Sequence, residues 1–537
     1  MKRQSLYADI LLADLNIVDV ISSEFYSGAI AVKGEKILGV GKVEHLVGPK
    51  TVIQDFSGFY ASPGFMDAHI HIESSMLTLT EFAKAAIPHG TTATVSDPHE
   101  VANVLGSRGV KLLLEEAKRL PLKAFFTAPS CVPAAPGLET GGAQLDAKEV
   151  EILLKKDQVV GLGEVMNFPG VISGNPQLLE KIRMARSLGK AVDGHAPQLR
   201  GGALRAYVNA GVLSDHECTT GEEALEKCGL GMWIMIREGS ASKDLRKVIQ
   251  PFLHRGAPKD RLMLVSDDLN PVDLKKGHLD NLVRMAVKEG LDPLAALRMV
   301  TINPALYFHL DPRMGSLSAG KEADIVLLED LENIKVRAVF ISGRLVAKDG
   351  KLVVGIPKFS YLPFSVKTVK IKAPPTPEAF AIPAPFNRGL AKVRVIVAKD
   401  ASLLTEATTE TVLVEDFRVL PDPAKDTLQV AVVERHGQTG NIGKGFVRGF
   451  SLKEGALAST VAHDSHNLIV VGTKWMEMAA AVQAICDMDG GMVVIKDGKT
   501  AARLPLPMAG LMSQENADAV INGLQGLHGA AKSLGCT

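Results

Sequence analysis

The sequence predicts an α/β protein in which a (β/α)8 TIM-like barrel carries a small β-domain formed from both flanks and an additional C-terminal α/β domain. Three observations lead to this prediction. Residues 61–317 alternate eight short apolar runs with helix-length segments, which is typical of a parallel sheet covered by helices. Hairpin-like sequences lie on both sides of that region. A proline-rich stretch then separates it from residues 387–537.

Each element follows from a local pattern. Residues 29–32 and 37–40 are apolar and flank a Lys-Gly-Glu-Lys turn, which predicts a hairpin. The apolar runs predict barrel strands at 65–72, 92–96, 124–128, 159–165, 191–194, 212–215, 232–236 and 262–266. Helices are predicted between them, for example at 109–119 and 177–188. Eight such units in about 250 residues fit a closed barrel, and an open doubly wound sheet is the structural alternative.

Three domains are predicted from these elements. Residues 1–60 and 318–365 form one small β-sandwich-like domain, because a second hairpin pattern follows the barrel at 339–346. Residues 61–317 form the barrel, and residues 366–386, with five prolines between 374 and 385, form an extended linker. Residues 387–537 form an α/β domain with strands at 393–397, 428–433, 468–471 and 492–495 and a helix at 476–488.

Composition excludes several classes of protein. Lys+Arg and Asp+Glu are both 60, and this zero net charge argues against a nucleic-acid binder and against an anionic membrane surface as partner. No run approaches about 18 apolar residues, so no membrane span is expected. The five cysteines are odd in number and form no Cys-x-x-Cys pair. Because the N-terminus also lacks the apolar core of a signal peptide, a cytoplasmic location is predicted.

The strongest local signal is a pair of histidines two residues apart, His69 and His71, in the first predicted barrel strand. Residues i and i+2 of a strand point to the same side, so both imidazoles are expected to project together. Neutral imidazole is a common ligand of zinc, iron and manganese. Taken alone, the pair could equally be two incidental histidines.

Further residues of metal-ligand type follow the other predicted strands. Enzymes on this fold place their chemistry at the C-terminal ends of the strands. The residues found there are Asp97 and His99 after strand two, Glu164 after strand four, His195 after strand five, His216 after strand six, Glu238 after strand seven and Asp267 after strand eight. Each one alone could cap a helix or fill the core, but together they predict a metal site.

Four histidines and two or three carboxylates exceed what one tetrahedral ion needs, and they suit two divalent ions. A carboxylate can bridge two ions, and Glu164 is the best-placed candidate. Two ions lower the pKa of a shared water and yield hydroxide near neutral pH. Asp267 could take the proton from that water and deliver it to a leaving group. The predicted reaction is attack of hydroxide on an electrophilic carbon or phosphorus.

This layout resembles the amidohydrolase superfamily, whose members place a barrel beside a small β-domain. Many two-metal members of that superfamily carry a modified lysine after strand four. This chain has Glu164 at that position. The difference makes the hydantoinase-like and urease-like branches a poorer match. The finer motifs resemble the bacterial adenine deaminase family over nearly the whole chain. They lie at 63–76, 97–100, 193–197, 214–217, 237–240, 266–268, 441–447 and 462–467.

The resemblance implies hydrolysis of free adenine to hypoxanthine and ammonia at a centre of two divalent ions, Mn²⁺ or Fe²⁺ with Zn²⁺ as an alternative. Six residues would hold the ions: His69, His71, Glu164, His195, His216 and Asp267. Catalytic proton transfer would fall to Asp267 and Glu164, and Asp97 would aid proton transfer or bind a further ion. Glu238 and Ser240 would contact the purine, although Glu238 could equally be a capping residue. The zero net charge fits a free base rather than adenine in a polymer, and self-association of the chain is expected.

Some alternatives stay open at the level of the sequence. The chain could be another two-metal hydrolase of a cyclic amide or heterocycle, or a barrel used as a non-catalytic scaffold. His463 and His466, with Asp464 between them, allow a metal site in the last domain, but a polar turn packed over the barrel mouth is the favoured interpretation. His99, Cys218 and Trp475 are assigned structural or supporting roles only.

Overall fold

The computed structural model of the 537-residue chain describes residues 7–254, 256–400 and 404–537. Residues 1–6, 255 and 401–403 lie outside the described residues, so the predicted segments 1–60, 61–317 and 387–537 are described except at those positions. Within the described residues, no helix combines the length and the apolar character that crossing a membrane requires.

The chain begins with strands of a twisted sheet that packs beside the barrel. Gly34 has a φ of +57° in the tight turn between the second and third strands, where glycine is favoured, and this turn is the predicted hairpin. The strands are β1 (Ile10–Asp19), β2 (Glu24–Lys33), β3 (Lys36–Gly41), β4 (Val52–Asp55) and β5 (Tyr60–Pro63).

Eight parallel strands in the described part of the barrel region follow the predicted runs closely. They are β6 (Phe65–Ile70), β7 (Thr91–Ser96), β8 (Lys123–Ala128), β9 (Val159–Val165), β10 (Ala191–Gly194), β11 (Ser214–Asp215), β12 (Trp233–Arg237) and β13 (Leu262–Val265). Nearly every residue in these strands is buried, as expected when helices cover a parallel sheet.

The strands close into a ring, which excludes the open-sheet alternative. The first strand meets the last through a parallel bridge of Ile70 with Asp267, and the Asp267 N–H donates to the His69 carbonyl at 3.1 Å. On the opposite side, the Leu213 N–H donates to the Val192 carbonyl at 3.4 Å, which joins β11 to β10. The predicted barrel is confirmed.

Amphipathic helices cover the outside of the barrel. Several begin at side-chain caps: Asn175 and Thr220, for example, accept the N–H of the residue three positions ahead. The helices are α1 (Leu79–Ala86), α2 (His99–Leu105), α3 (Ser107–Ala117), α4 (Ala147–Leu154), α5 (Phe168–Ile172), α6 (Pro176–Ser187), α7 (Gly201–Ala210), α8 (Gly221–Gly229), α9 (Leu245–His254), α10 (Pro271–Lys276), α11 (Leu279–Lys288), α12 (Pro293–Arg298) and α13 (Ile302–Tyr307).

After the barrel the chain returns to the first sheet. Strand β14 pairs antiparallel with β5, from Ile325 opposite Pro63 to Leu328 opposite Tyr60. The returning strands are β14 (Ile325–Leu328), β15 (Val336–Ile341), β16 (Arg344–Lys348) and β17 (Lys351–Leu352). In the described residues the order is β17-β16-β15-β14-β5-β1-β2-β3, with β4 beside β1. One sheet is therefore built from both flanks.

Residues 366–386 connect this body to the C-terminal domain and are anchored to that domain at separate points. The Lys370 N–H donates to the Arg435 carbonyl at 2.8 Å, and Phe380 is fully buried in the C-terminal core. Prolines give the segment its extended backbone, while Phe380 anchors it to the next domain.

The C-terminal domain is a long, mostly antiparallel sheet with helices packed on it. Its strand order in the described residues is β18-β21-β20-β19-β23-β22-β25-β24-β26-β27. The elements are α14 (Pro363–Val366), β18 (Ile382–Pro383), β19 (Gly389–Val397), β20 (Glu406–Glu415), β21 (Arg418–Val419), β22 (Leu428–Val433), β23 (Ile442–Arg448), β24 (Ala456–Ser459), β25 (Leu468–Gly472), α15 (Trp475–Asp487), β26 (Gly491–Lys496), β27 (Lys499–Pro505) and α16 (Ala517–Ser533).

This domain lies against the mouth of the barrel, at the C-terminal ends of its strands. Ser513 exchanges backbone hydrogen bonds with the loop after β6, accepting from Thr78 at 3.2 Å and donating to Met76 at 2.8 Å. The Asn467 side chain donates to the Thr140 carbonyl of the loop after β8 at 2.9 Å. The C-terminal domain is thus in a position to contribute to the site at the barrel mouth.

Candidate metal centre

Two imidazoles stand at the end of the first barrel strand. His69 lies on β6 and His71 follows it, with their ring centroids 5.0 Å apart and both side chains buried. Each ring is held from behind, because His69 Nδ1 is 2.9 Å from Asp193 Oδ2 and His71 Nδ1 is 3.1 Å from the Asp97 carbonyl oxygen. Such partners fix the tautomer of a metal-binding histidine. Both Nε2 atoms are therefore left to act as ligands.

Two carboxylates face these Nε2 atoms. Asp267 Oδ1 lies 3.6 Å from His69 Nε2 and 3.5 Å from His71 Nε2, and Glu164 Oε1 lies 3.4 Å from His71 Nε2. These separations are long for hydrogen bonds. They match the distance of about 3.4 Å between two ligand atoms that each bind one tetrahedral ion at about 2.1 Å.

The second oxygen of Glu164 faces the other pair of imidazoles. Glu164 Oε2 is 2.6 Å from His195 Nδ1 and 3.1 Å from His216 Nε2, and these two nitrogens are 3.2 Å apart. The ring of His216 also stacks on that of His69 with centroids 3.9 Å apart. One carboxylate thus reaches both halves of the cluster, as a bridge between two ions requires.

Asp97 and His99 support Glu164 from the next strand. Asp97 Oδ2 accepts the Glu164 N–H at 2.6 Å, so this carboxylate is directed at the backbone beneath the cluster. His99, at the start of α2, places Nδ1 3.2 Å from Glu164 Oε1. Its contact with Glu164 gives His99 a more direct relation to the cluster than the sequence suggested.

A buried arginine that was not predicted also enters the site. Arg237 lies at the end of β12. Its Nη1 donates to Asp267 Oδ2 at 3.1 Å and to Glu217 Oε1, and its Nε donates to Asp244 Oδ2 at 3.1 Å.

Glu217, which was not predicted either, is the buried partner of this arginine. Burial raises the pKa of Glu217, although His195 and Arg237 oppose this shift. The signal that could have indicated Glu217 is its position directly after His216, where β11 ends.

The electrostatics of the cluster favour positive charge between the carboxylates. Burial disfavours protonation of both His69 and His195. Asp193 nevertheless raises the pKa of His69 to about 10, and Glu164 raises the pKa of His195 to about 9. Burial likewise opposes ionisation of Glu164, but His195 and His216 hold its pKa well below its usual range. The site therefore binds protons where divalent cations would replace them.

The two residues predicted to contact the purine make other interactions. Glu238 Oε2 accepts the Leu245 N–H at 3.1 Å at the start of α9. Ser240 Oγ donates to Asp273 Oδ2 at 2.8 Å and accepts the Asn270 N–H at 2.9 Å. These bonds give both side chains a local structural role, which was the alternative for Glu238.

The C-terminal domain brings polar side chains to the rim of the cluster. Asp464 Oδ1 is 3.7 Å from His99 Nε2, and His463 Nδ1 is 3.5 Å from Glu100 Oε1. The Asp464 and His463 side chains are 38% and 42% exposed, whereas those of His69, His71 and Asp267 are at most 5% exposed. His195, at 28%, is also open to solvent, so the cluster is accessible from this side.

The donor set fits two divalent transition-metal ions. Four imidazoles and two carboxylates are nitrogen and oxygen ligands that zinc, iron and manganese all accept. His69 Nε2 is a buried nitrogen that finds no hydrogen-bond partner in the described part of the chain. Such an atom costs free energy unless something else satisfies it, and a cation between His69, His216 and Asp267 would do so.

Comparison with known proteins gives two family matches and close relatives. Residues 60–346, more than half of the chain, match the Amidohydrolase family, and residues 402–537 match the adenine deaminase C-terminal domain. The adenine deaminase of Moorella thermoacetica is 45% identical over 99% of this chain and 89% of its own length. Those of Staphylothermus marinus and Desulfatibacillum aliphaticivorans are each 43% identical, over 96% and 99% of this chain and 86% and 91% of their own lengths.

Proposed function

The chain belongs to the adenine deaminase family of amidohydrolases, and we propose that the cluster at the barrel mouth is where it hydrolyses adenine to hypoxanthine and ammonia. The observation that carries this assignment is the Glu164 carboxylate, whose two oxygens face separate sets of imidazoles. The proposed ligands of the two ions are His69, His71, Glu164, His195, His216 and Asp267.

Divalent ions, when bound, supply a water molecule that ionises near neutral pH. Asp267 then acts as the base that takes a proton from this water and as the acid that returns it to the leaving nitrogen. The Arg237 guanidinium, 3.1 Å from Asp267 Oδ2, keeps the other carboxylate oxygen directed at the cluster. A bond forms between the water oxygen and C6 of the purine, the bond from C6 to the exocyclic nitrogen breaks, and ammonia leaves.

Glu217 is the group that we assign to the purine ring. Its Oε1 lies 3.7 Å from His216 Nε2 and 3.8 Å from His195 Nδ1, so this carboxyl adjoins two of the proposed ligands. As C6 is attacked, Glu217 donates a proton to a ring nitrogen, and the proton left on the new C6 oxygen returns to Glu217. Burial raises the pKa of Glu217, which favours the protonated carboxyl needed for this step. Contact of Glu238 and Ser240 with the purine remains a proposal from the sequence, and one oxygen of Glu238 and the hydroxyl of Ser240 also hydrogen-bond within the fold.

We propose that the ions are Mn²⁺ or Fe²⁺, with Zn²⁺ as an alternative. The family resemblance and the nitrogen and oxygen donors of the site support this choice. Within the described residues all five cysteines are free, which supports a reducing cytoplasm as the location.

We also propose self-association. Exposed apolar side chains on β19 and β20, among them Leu390, Ile396 and Leu413, form a candidate contact surface, and sedimentation of the full chain tests this.

The test of the proposed function is a substrate panel. Protein stripped of metal and reloaded with Mn²⁺ is incubated separately with adenine, with adenosine and with a cyclic amide such as hydantoin. We expect hypoxanthine and ammonia in equal amounts from adenine alone. Turnover of hydantoin in the absence of adenine turnover would instead assign the chain to another branch of the amidohydrolases.

A further inference from the structure

We infer that Asp464, carried by the C-terminal domain, accepts a hydrogen bond from the five-membered-ring N–H of the purine and so selects the free base over purines substituted at N9. This inference rests on the proposed function, because it concerns how adenine is held at that site. It gives the C-terminal domain a direct part in substrate specificity.

Asp464 lies on the open side of the cluster, one imidazole away from the bridging carboxylate. His99 separates them, with Nδ1 3.2 Å from Glu164 Oε1 and Nε2 3.7 Å from Asp464 Oδ1. Glu164 and Asp464 are thus separated by an imidazole ring and its two contacts. A base that lies beside the His99 ring with its C6 at the cluster would bring its five-membered ring towards Asp464.

The loop that carries Asp464 is held firmly against the barrel. His466 is fully buried, and its N–H donates to the Ala462 carbonyl at 2.8 Å. The buried Arg435 guanidinium donates to the His466 carbonyl, and Asn467 donates to Thr140 of the barrel at 2.9 Å. A carboxylate on a preorganised loop can act as a specific acceptor without a large ordering cost on binding.

Asp464 differs from other carboxylates at the mouth in its exposure and in the length of its contacts. One oxygen of each of three others is engaged by a hydrogen bond: Asp97 accepts the Glu164 N–H at 2.6 Å, Asp268 accepts the Ser74 hydroxyl at 2.5 Å, and Glu217 accepts from Arg237. Asp464, in contrast, approaches His99 at 3.7 Å, which is beyond hydrogen-bond length, and its side chain is 38% exposed. His99 still holds the pKa of Asp464 below its usual range despite burial, which supports an ionised acceptor.

The chemistry of the free base requires such an acceptor. Adenine carries an N–H on its five-membered ring that a nucleoside lacks, and burying that N–H without a hydrogen-bond acceptor is unfavourable. A site built to hydrogen-bond such a group discriminates strongly against analogues without it. Asp464 would supply this bond, and substitution at N9 would remove it.

The test compares adenine with 9-methyladenine, which has no N–H at that position, in the metal-loaded full-length chain. For Asp464→Ala we expect kcat/KM on adenine to fall about 10- to 100-fold, mainly through KM, because the lost bond is made in ground and transition states alike. The preference for adenine over 9-methyladenine should shrink by a similar factor. Asp464→Asn, whose amide oxygen still accepts, should restore most of the preference.

The exposed Asp400 of the same domain provides the matched control, and Asp400→Ala should behave as the wild type. The inference is overturned if Asp464→Ala keeps the wild-type preference for adenine over 9-methyladenine, whatever its absolute rate. That outcome leaves the proposed function intact, because wild-type turnover of adenine is measured in the same experiment. Absence of wild-type turnover would instead remove the proposed function and this inference together.

Discussion

The Asp193 carboxylate lies behind His69, on the side of the ring away from the other proposed ligands. It is 2.9 Å from His69 Nδ1 and is itself held by the Gly194 N–H at 3.1 Å and the Ser214 hydroxyl. Its role is to orient a ligand, and loss of such a partner typically lowers metal affinity or activity by about 10- to 100-fold. At the scale of a residue, this contact can be tested separately from the ligands themselves.

We therefore expect Asp193→Asn to weaken metal binding by about 10- to 100-fold while the protein remains folded. The asparagine keeps the shape of the side chain but removes the charge that fixes the His69 tautomer. Metal affinity is measured by competition with a chelator of known affinity, and Asp157→Asn, at an exposed position, is the control. Equal affinities for the two variants would contradict the role given to Asp193.

The sequence predicted those residues of the cluster whose position depends only on where a barrel strand ends. His69, Glu164 and Asp267 follow from the rule that the C-terminal ends of barrel strands carry chemistry. Arg237 was missed, because its importance depends on the side chains of Asp267 and Glu217 from neighbouring strands. A sequence pattern gives the order of the strands but not which side chains pair across them.

At the scale of an element, the short strand β11 depends on helix α8 for its position. Lys227 of α8 is fully buried and lies 3.0 Å from Asp215 Oδ2 and 2.7 Å from Glu223 Oε1. Asp215 in turn accepts the backbone N–H groups of Ala196 at 2.8 Å and Glu217 at 3.1 Å, next to two proposed ligands. One buried ion pair thus links a helix to two loops of the site.

Lys227→Met should lower the free energy of unfolding by about 3–5 kcal/mol, because it leaves two buried carboxylates without their cation. The measurement is denaturant-induced unfolding of the metal-free chain. Lys155→Met is the matched control, since Lys155 pairs with Glu151 on the surface and such pairs contribute at most about 1 kcal/mol. Similar losses in both variants would show that the buried pair is no more important than an exposed one.

The sequence predicted strands correctly where an apolar run was bounded by residues typical of turns. The strand Val159–Val165 and the strand Leu428–Val433 begin and end where the sequence predicted. Strand Glu406–Glu415 was missed because its sequence is rich in threonine and glutamate and faces solvent along much of its length. Helix Ala517–Ser533 was missed because it contains three glycines, which disfavour helices in isolation.

At the scale of the whole molecule, the contacts that hold the C-terminal domain over the barrel mouth had the weakest sequence signal. The bond from Asn467 to Thr140 joins residues 327 positions apart, and no local pattern predicts such a contact. The sequence favoured a polar turn over the mouth for residues 463–466, and the structure places Asp464 and His463 at that rim. The closed ring of barrel strands was predictable because it repeats one unit eight times.

Stability of the whole chain should depend on pH and metal together. Burial opposes charge on His69 and His195, but neighbouring carboxylates raise their pKa values from 6.5 to about 10 and about 9. In the metal-free protein this raised pKa contributes stability that is complete below about pH 6.5 and lost as pH rises through 9 to 10. Bound ions take the place of those protons, so their stabilising effect should grow over the same range.

We expect the difference in Tm between metal-loaded and chelator-treated protein to be larger at pH 9 than at pH 6.5. Thermal unfolding of both forms in matched buffers measures this difference directly. A constant difference across the range would mean that protons and metal ions do not compete for the same side chains.

Whether adenine is hydrolysed at the cluster containing His69 is decided by adenine turnover in wild type and His69→Ala. Both proteins are stripped of metal, reloaded with Mn²⁺ and checked for secondary structure and metal content before assay. We predict that loaded wild type converts adenine to equal amounts of hypoxanthine and ammonia, whereas stripped wild type and folded His69→Ala do not. Full turnover by His69→Ala, or by wild type without metal, would show that adenine is hydrolysed without this metal cluster.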